Sequence, residues 1–201
     1  MARATATHPA HTNGVATLAP ARARNGNGAE RLAGALRDFL CQDRESIKFV
    51  ASGSVLMPML RDTAASPIEC VARDDSWWRY PEYVALLLTL MRAEAIDNVV
   101  FLAGDIHCSL FAKIGIRRND GRLLRAWSIV SSGLHAPYRF ANTSPDEYVR
   151  SHTQIPAGSW VKDMLGDVEW EILDSRDRDA HAVVTIDPAR NEPQVEFVLS
   201  T

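Results

Sequence analysis

The sequence predicts an α/β fold built on a mixed β-sheet, and two observations support this prediction. An apolar helical stripe lies between two short apolar runs, residues 47–52 and Val99–Ala103. Strand, helix and strand in that order imply a parallel crossover. The end of the chain instead alternates apolar and polar residues in short runs between polar turns, which is typical of antiparallel strands. A sheet that contains both kinds of pairing is mixed.

The first half of the chain supplies the helices. Residues 30–41 place apolar side chains on one helical face, and residues 47–52 are rich in strand-forming residues. Residues 62–76 show no period, so we expect a loop there. Pro81 suits the first turn of a helix. After Pro81, apolar residues at helical spacing form one stripe that precedes the strand Val99–Ala103. They are Val84, Leu87, Leu88, Met91 and Ala95.

The second half is dominated by strands. Residues 110–116 and 123–130 are strand-like, and Asn119-Asp120-Gly121 between them predicts a hairpin turn. Residues 131–158 are irregular and rich in Pro, Ser and Asn. Three further alternating runs predict a terminal meander: 168–173, 182–187 and 195–199.

Composition narrows the class of protein. A hydrophobic fraction of 46% and a charged fraction of 23% are ordinary for one globular domain. The net charge of -3 gives no electrostatic reason to expect a nucleic acid as a partner. No apolar run is long enough to predict a membrane span. Cys41, Cys70 and Cys108 do not form a disulfide framework or a zinc site, and a buried thiol is the favoured role for Cys108.

The amino-terminal segment differs from the rest of the chain. Residues 1–28 are rich in Ala, Thr, Asn and Gly, and no acidic residue precedes Glu30. We expect a disordered leader over 1–28 and a folded domain over 29–201. The leader lacks the apolar centre of a secretory signal, so we expect the chain to be cytoplasmic as expressed.

The most informative stretch follows the strand Val99–Ala103. The apolar run stops at Gly104, and Asp105 and His107 come directly after it. Open α/β sheets bind ligands at the carboxyl ends of their strands. An oxygen ligand beside an imidazole nitrogen suits a divalent or trivalent metal ion. The alternative is an ordinary strand-end turn in which Asp105 caps the backbone and His107 is packed.

Several short motifs occur in an order that resembles a known family. Residues 47–54 read Ile-Lys-Phe-Val-Ala-Ser-Gly-Ser, and Asp75-Ser76-Trp77 and Tyr80-Pro81-Glu82 follow. Gly104-Asp105-Ile106-His107 and Ser131-Ser132-Gly133-Leu134-His135 come next. This order is similar to that of PhoD-like alkaline phosphatases, within the calcineurin-like metallophosphoesterases. The resemblance extends from about residue 30 to the end of the chain, and several weak motifs in one order are more specific than any alone.

The resemblance implies a fold, a chemistry and a set of site residues. The fold would be a mixed-sheet αββα sandwich, here incomplete. The chemistry would be hydrolysis of phosphate mono- or diesters with bound metal ions (Ca, Fe, Mn or Zn). Asp105 and His107 would be metal ligands. The other residues near the site or the substrate would be Asp75, Trp77, Ser131 and His135. Family members are often exported, but a twin-Arg signal is absent from this sequence.

The superfamily's other metal motifs are not found. Upstream of Gly104 the sequence has no Asp-x-His, and it contains neither Gly-Asp-x-x-Asp nor Gly-Asn-His. Three readings therefore stay open: a phosphoesterase domain, an inactive truncated remnant, and a non-enzymatic module with one weak metal or phosphate site. An incomplete sandwich would also leave a sheet face uncovered, which predicts self-association.

Overall fold

One six-stranded mixed sheet and one two-stranded sheet make up the β structure of the described residues, as a computed structural model shows. The structure describes residues 15–18, 27–65, 76–104, 106–131, 144–187 and 189–199. The large sheet has the order β1-β2-β3-β5-β4-β6, and β7 pairs with β8. The strands are β1 Val15–Leu18, β2 Lys48–Ser52, β3 Val99–Ala103, β4 Ser109–Arg117, β5 Leu123–Val130, β6 Val168–Arg176, β7 Ala180–Asp187 and β8 Glu192–Leu199.

The helices mostly begin and end where the sequence provides a signal. They are α1 Asn27–Cys41, α2 Arg61–Ala65, α3 Pro81–Ala93 and α4 Trp160–Leu165, with short 3-10 helices at Trp77–Arg79, Pro145–Glu147 and His152–Gln154. Pro81 occupies the first turn of α3, where its missing N–H costs nothing. The Ser159 hydroxyl caps α4 by accepting from the amide of Lys162, and Gly166 ends that helix with a φ of 60°. None of the helices in the described ranges is long and apolar enough to cross a membrane.

The predicted parallel crossover is confirmed. β2 and β3 pair in parallel, with Ala51 opposite Leu102, and α3 connects them across one face of the sheet. Four side chains of α3 are buried against that face, and each contributes about 1.5–3 kcal/mol relative to exposure. They are Val84, Leu87, Leu88 and Met91, the stripe that the sequence indicated.

Two details of the sequence prediction are wrong. The last three strands do not form one meander, because β6 joins the large sheet beside β4 and only β7 and β8 pair with each other. β6 buries Val168, Trp170 and Ile172, after which the chain turns onto the opposite face. The expected loop over 62–76 includes most of the helix α2, which is too short to give a helical period.

The two faces of the large sheet are covered differently. The helices cover one face, whereas β7 and β8 lie on the other and pack Ala180 and Phe197 against Phe111, Trp127 and Ile129. The mixed α/β class is therefore confirmed. Phe49 and Leu102 on the second face are only partly buried, and self-association through an uncovered part of that face stays a prediction.

The strand β1 lies inside the segment for which we expected a disordered leader. Val15–Leu18 pair in parallel with β2 at the edge of the large sheet. Residues 1–14 and 19–26 lie outside the described residues. The division of the chain at residue 28 as a whole stays a prediction.

Candidate metal centre

The candidate site lies at the edge where the parallel strands of the large sheet end. β2 ends at Ser52, β3 at Ala103 and β5 at Val130, and parallel strands bring these ends to one edge. The amide of Ser131 donates to the carbonyl of Ala103 at 3.0 Å, which ties the chain after β5 to the end of β3. The loop that carries the predicted metal motif starts from this point.

His107 contains an unsatisfied polar atom. Its Nδ1 is buried and has no hydrogen-bond partner among the residues that the structure describes, whereas the residue as a whole is partly exposed. Leaving a buried nitrogen unpaired costs about 1–3 kcal/mol. Ile106 and Cys108 on either side pack into an apolar cluster with Leu110, so the imidazole is held on a well-anchored loop.

One described side chain at this edge, that of His107, suits a metal ion. An unpaired imidazole nitrogen is a standard ligand for Zn, Mn or Fe, and an ion would satisfy it. Asp105, the predicted oxygen ligand, lies outside the described residues. Within the residues that the structure does describe, no three His, Cys, Asp or Glu side chains come together as a ligand set. His107 is therefore the described member of the predicted ligand pair, and its role as a ligand stays a prediction.

Cys108 follows His107 directly and has the structural role expected of it. The residue is fully buried in the apolar cluster. Burial raises the pKa of its thiol to about 12, with smaller contributions from the negative charges of Glu147 and Asp177.

The glycine of the motif is not required by the backbone. Gly104 does not adopt a left-handed φ, and an added Cβ would lie 3.5 Å from the carbonyl oxygen of Ser131, an ordinary contact. The backbone at this residue thus needs no glycine for steric reasons.

The two adjacent tryptophans have different positions. Trp78 is fully buried, and its indole N–H donates to the carbonyl of Leu56 at 2.8 Å. It is the residue that anchors this segment in the core. Trp77 is half-buried, and its indole N–H donates to the hydroxyl of Ser52 at 2.8 Å. Trp77 is thus placed at the carboxyl end of β2, beside the predicted site.

Ser131 connects the two sheets. Its hydroxyl donates to the carbonyl of Ala180 at 3.4 Å and accepts from the amide of Ala182 at 3.2 Å, so it positions the start of β7. Its role beside a metal ligand stays a prediction. Asp75 and His135, the other two residues in the predicted site, lie outside the described residues.

Two other histidines stand apart from this edge. His152 packs against Trp170 and its Nδ1 lies 3.3 Å from that residue's carbonyl oxygen, within a pocket of about 240 Å³ below α4. His181 is exposed on β7. His152 thus has a structural partner.

Ser52 lies at the same edge, and the sequence reasoning did not select it as a candidate site residue. The signal was a hydroxyl at the last position of a strand, directly before Gly53. Its partner Trp77 lies 25 residues later in the sequence, so no local pattern could reveal the hydrogen bond.

Comparisons with known proteins identify a family for the chain. The family model described as PhoD-like phosphatase matches residues 16–192. A solved structure titled "Structure of PhoD" is similar, with a TM-score of 0.48 and 16% sequence identity. The similarity covers 84% of this chain and 31% of that one, so the chain spans about a third of the solved structure. No relative is found among curated proteins.

Proposed function

Because the chain belongs to the PhoD-like phosphatase family, we propose that it contributes to metal-dependent hydrolysis of phosphate mono- or diesters. Family membership supports a phosphoesterase function. We further propose that this function depends on a metal ion bound at this site. The supporting observation is the buried Nδ1 of His107, which follows β3 and has no hydrogen-bond partner among the described residues.

Asp105 and His107 would hold the metal ion. When bound, such an ion lowers the pKa of a coordinated water and neutralises phosphoryl oxygens. Ile106 and Cys108 are the sequence neighbours of His107. Both pack into one apolar cluster and so anchor the loop that contains the His107 ring.

We also propose that this chain alone is a weak catalyst. Two protein ligands leave most of an ion's coordination to water, and such an ion binds loosely and activates its water less than a full site would. The alternative reading follows from the same count. A chain with only these two ligands would be an inactive remnant or a module that retains one weak metal or phosphate site.

An assay with matched variants separates these readings. Hydrolysis of p-nitrophenyl phosphate and its bis-ester would be measured with Ca, Mn, Fe and Zn supplied in turn. Wild type, Asp105→Ala and His107→Ala would be compared, with His152→Ala as a control because His152 lies against Trp170, away from the site. Metal affinity of the same four proteins would be measured by calorimetry.

We expect weak turnover or none, and metal binding that falls in the Asp105 and His107 variants but not in the control. Strong turnover that disappears in both variants would show that the chain builds a complete site, and it would overturn the view of a weak catalyst. Turnover or metal binding that survives both substitutions would overturn the proposed site.

A further inference from the structure

The hydroxyl of Ser52 has an unusual set of hydrogen bonds. Its oxygen accepts from the indole N–H of Trp77 at 2.8 Å and from the amide of Ser54 at 3.1 Å. A serine hydroxyl has two lone pairs and one hydrogen. Both lone pairs are therefore occupied, and no acceptor for the remaining O–H lies in the parts of the chain that the structure describes. Ser52 is left as a donor only.

These two bonds also strengthen and orient that donor. A hydroxyl that accepts two N–H groups is polarised, and its O–H becomes a better donor. The two accepted bonds fix the directions of the lone pairs and thus the direction that remains for the hydrogen. Trp77 itself is held by its backbone, because its amide donates to the carbonyl of Val55 at 3.0 Å. The donor is consequently preorganised in the absence of a ligand.

Ser52 is placed next to the His107 loop. Ala51 lies opposite Leu102 in the parallel pair, so Ser52 lies beside Ala103, the last residue of β3. The loop after Ser52 and the loop after Ala103 also share one apolar cluster, to which Val55, Ile106 and Cys108 all belong. Both loops therefore form one surface at the carboxyl edge of the sheet. Ser52 is half-buried there, so part of the residue is open to solvent.

We propose that the Ser52 O–H donates a hydrogen bond to a phosphoryl oxygen of the bound ester, and that Trp77 is a positioning residue for it. A fixed donor at a partly closed site suits an anionic oxygen, because a charge-assisted bond is shorter and stronger than a neutral one. This inference rests on the proposed function, since it assumes that the ester binds at the His107 edge.

The test measures binding of inorganic phosphate to the full chain by calorimetry, with and without Mn²⁺. The variants are Ser52→Ala, which removes the donor, Ser52→Thr, which keeps it, and Trp77→Phe, which removes the N–H that orients it. Thr185→Ala is the control, because Thr185 is exposed on β7 and its side chain is remote from β2. Thermal unfolding and near-UV circular dichroism would confirm that each variant is folded.

We expect Ser52→Ala to weaken phosphate binding about tenfold or more, the usual effect of losing one hydrogen bond to a charged group. Ser52→Thr should restore most of the affinity, Trp77→Phe should cause a smaller loss, and Thr185→Ala none. Mn²⁺ affinity should be the same in wild type and Ser52→Ala, because the hydroxyl is assigned to the ester and not to a metal ligand.

Several outcomes would overturn the inference. These are unchanged phosphate affinity in a folded Ser52→Ala variant, no phosphate binding to wild type, or a fall in Mn²⁺ affinity, which would place the hydroxyl on a metal-ligating carboxylate. Failure of the proposed function is a separate result, since it would appear as equal Mn²⁺ binding by wild type and His107→Ala.

Discussion

The two ends of β3 differ in how their polar groups are satisfied. At the amino end Asp97 is buried, and its Oδ1 accepts from the amides of Asn98 at 3.0 Å and Arg125 at 2.6 Å. Its Oδ2 lies 3.3 Å from the guanidinium of Arg122. At the carboxyl end the buried Nδ1 of His107 has no partner among the residues described.

We propose that the amino end of β3 serves the stability of the fold and that the carboxyl end serves its function. A buried polar group that is fully paired fixes the chain, whereas an unpaired one costs free energy and persists where a ligand supplies the partner. The amino end thus holds β3 against β5, since Asp97 accepts from the backbone of Arg125. The carboxyl end is where a metal ion and an ester would bind.

The largest expected effect is at the amino end. Asp97→Ala should lower the free energy of unfolding by about 2–4 kcal/mol, because it leaves the part-buried amide of Arg125 without its acceptor and removes the carboxylate that pairs with Arg122. Urea denaturation measures the change. Glu94→Ala is the matched control, since Glu94 pairs with Arg37 and Arg44 at the surface and should cost less than about 1 kcal/mol. Equal losses in the two variants would contradict the role given to Asp97.

The adjacent tryptophans provide the next test. Trp78→Phe should cost about 1–3 kcal/mol, because it leaves the buried carbonyl of Leu56 unpaired and reduces packing against Trp160. Trp77→Phe should cost less than about 1 kcal/mol, since its indole is half-buried and bonds to a hydroxyl that can turn to water. Denaturation curves of the two variants, measured side by side, give the comparison. The reverse order would show that Trp77, and not Trp78, anchors the loop.

Lys48 gives a smaller, pH-dependent effect near the amino end. Burial lowers the pKa of Lys48 below its ordinary value of 10.5, despite the nearby charges of Asp43 and Asp97. The folded state therefore binds fewer protons than the unfolded state below that value. The resulting stability is present at high pH and lost as pH falls through the folded pKa.

Unfolding free energies of wild type and Lys48→Met, measured from about pH 8 to about pH 10.5, test this. Wild type should gain stability with rising pH relative to the variant, by at most about 1.4 kcal/mol per pH unit. Parallel curves for the two proteins would show that Lys48 has the same affinity for protons in both states.

The smallest stability change is expected at the carboxyl end. His107→Ala should alter the unfolding free energy of the metal-free chain by less than about 1 kcal/mol, because the packing lost with the ring offsets the cost of its unpaired Nδ1. With metal added, only wild type should be stabilised further, since binding to the native state alone raises its stability. A large loss without metal would mean that His107 is a packing residue, as in the alternative reading of the motif.

Local patterns predicted the parts of the fold that depend on local chemistry. The stripe of α3, the buried run of β3 and the hairpin turn before β5 are all readable over a few residues. The separate pairing of β7 and β8 is not, because the sequence shows alternation but not which face a strand covers.

The candidate site also contains features that a short segment of sequence reveals and features that it does not. The strand and the motif around it were enough to select His107 as a candidate, and its role as a ligand stays a prediction. The Trp77–Ser52 bond joins residues 25 apart, and the Asp97–Arg125 contact joins residues 28 apart. Such contacts depend on the register of the whole sheet, so no short segment of the sequence specifies them.

The central claim is that the unpaired nitrogen of His107 binds a metal ion. Nitrogen-15 NMR of the six histidines tests it directly, with Zn²⁺ added to the full chain and the His107 signals identified by their absence in His107→Ala. The Nδ1 resonance of His107 should shift as the metal binds, while the signals of His152 and His181 stay in place. An unchanged His107 resonance at saturating Zn²⁺, or a shift at His152 or His181 instead, would contradict the claim.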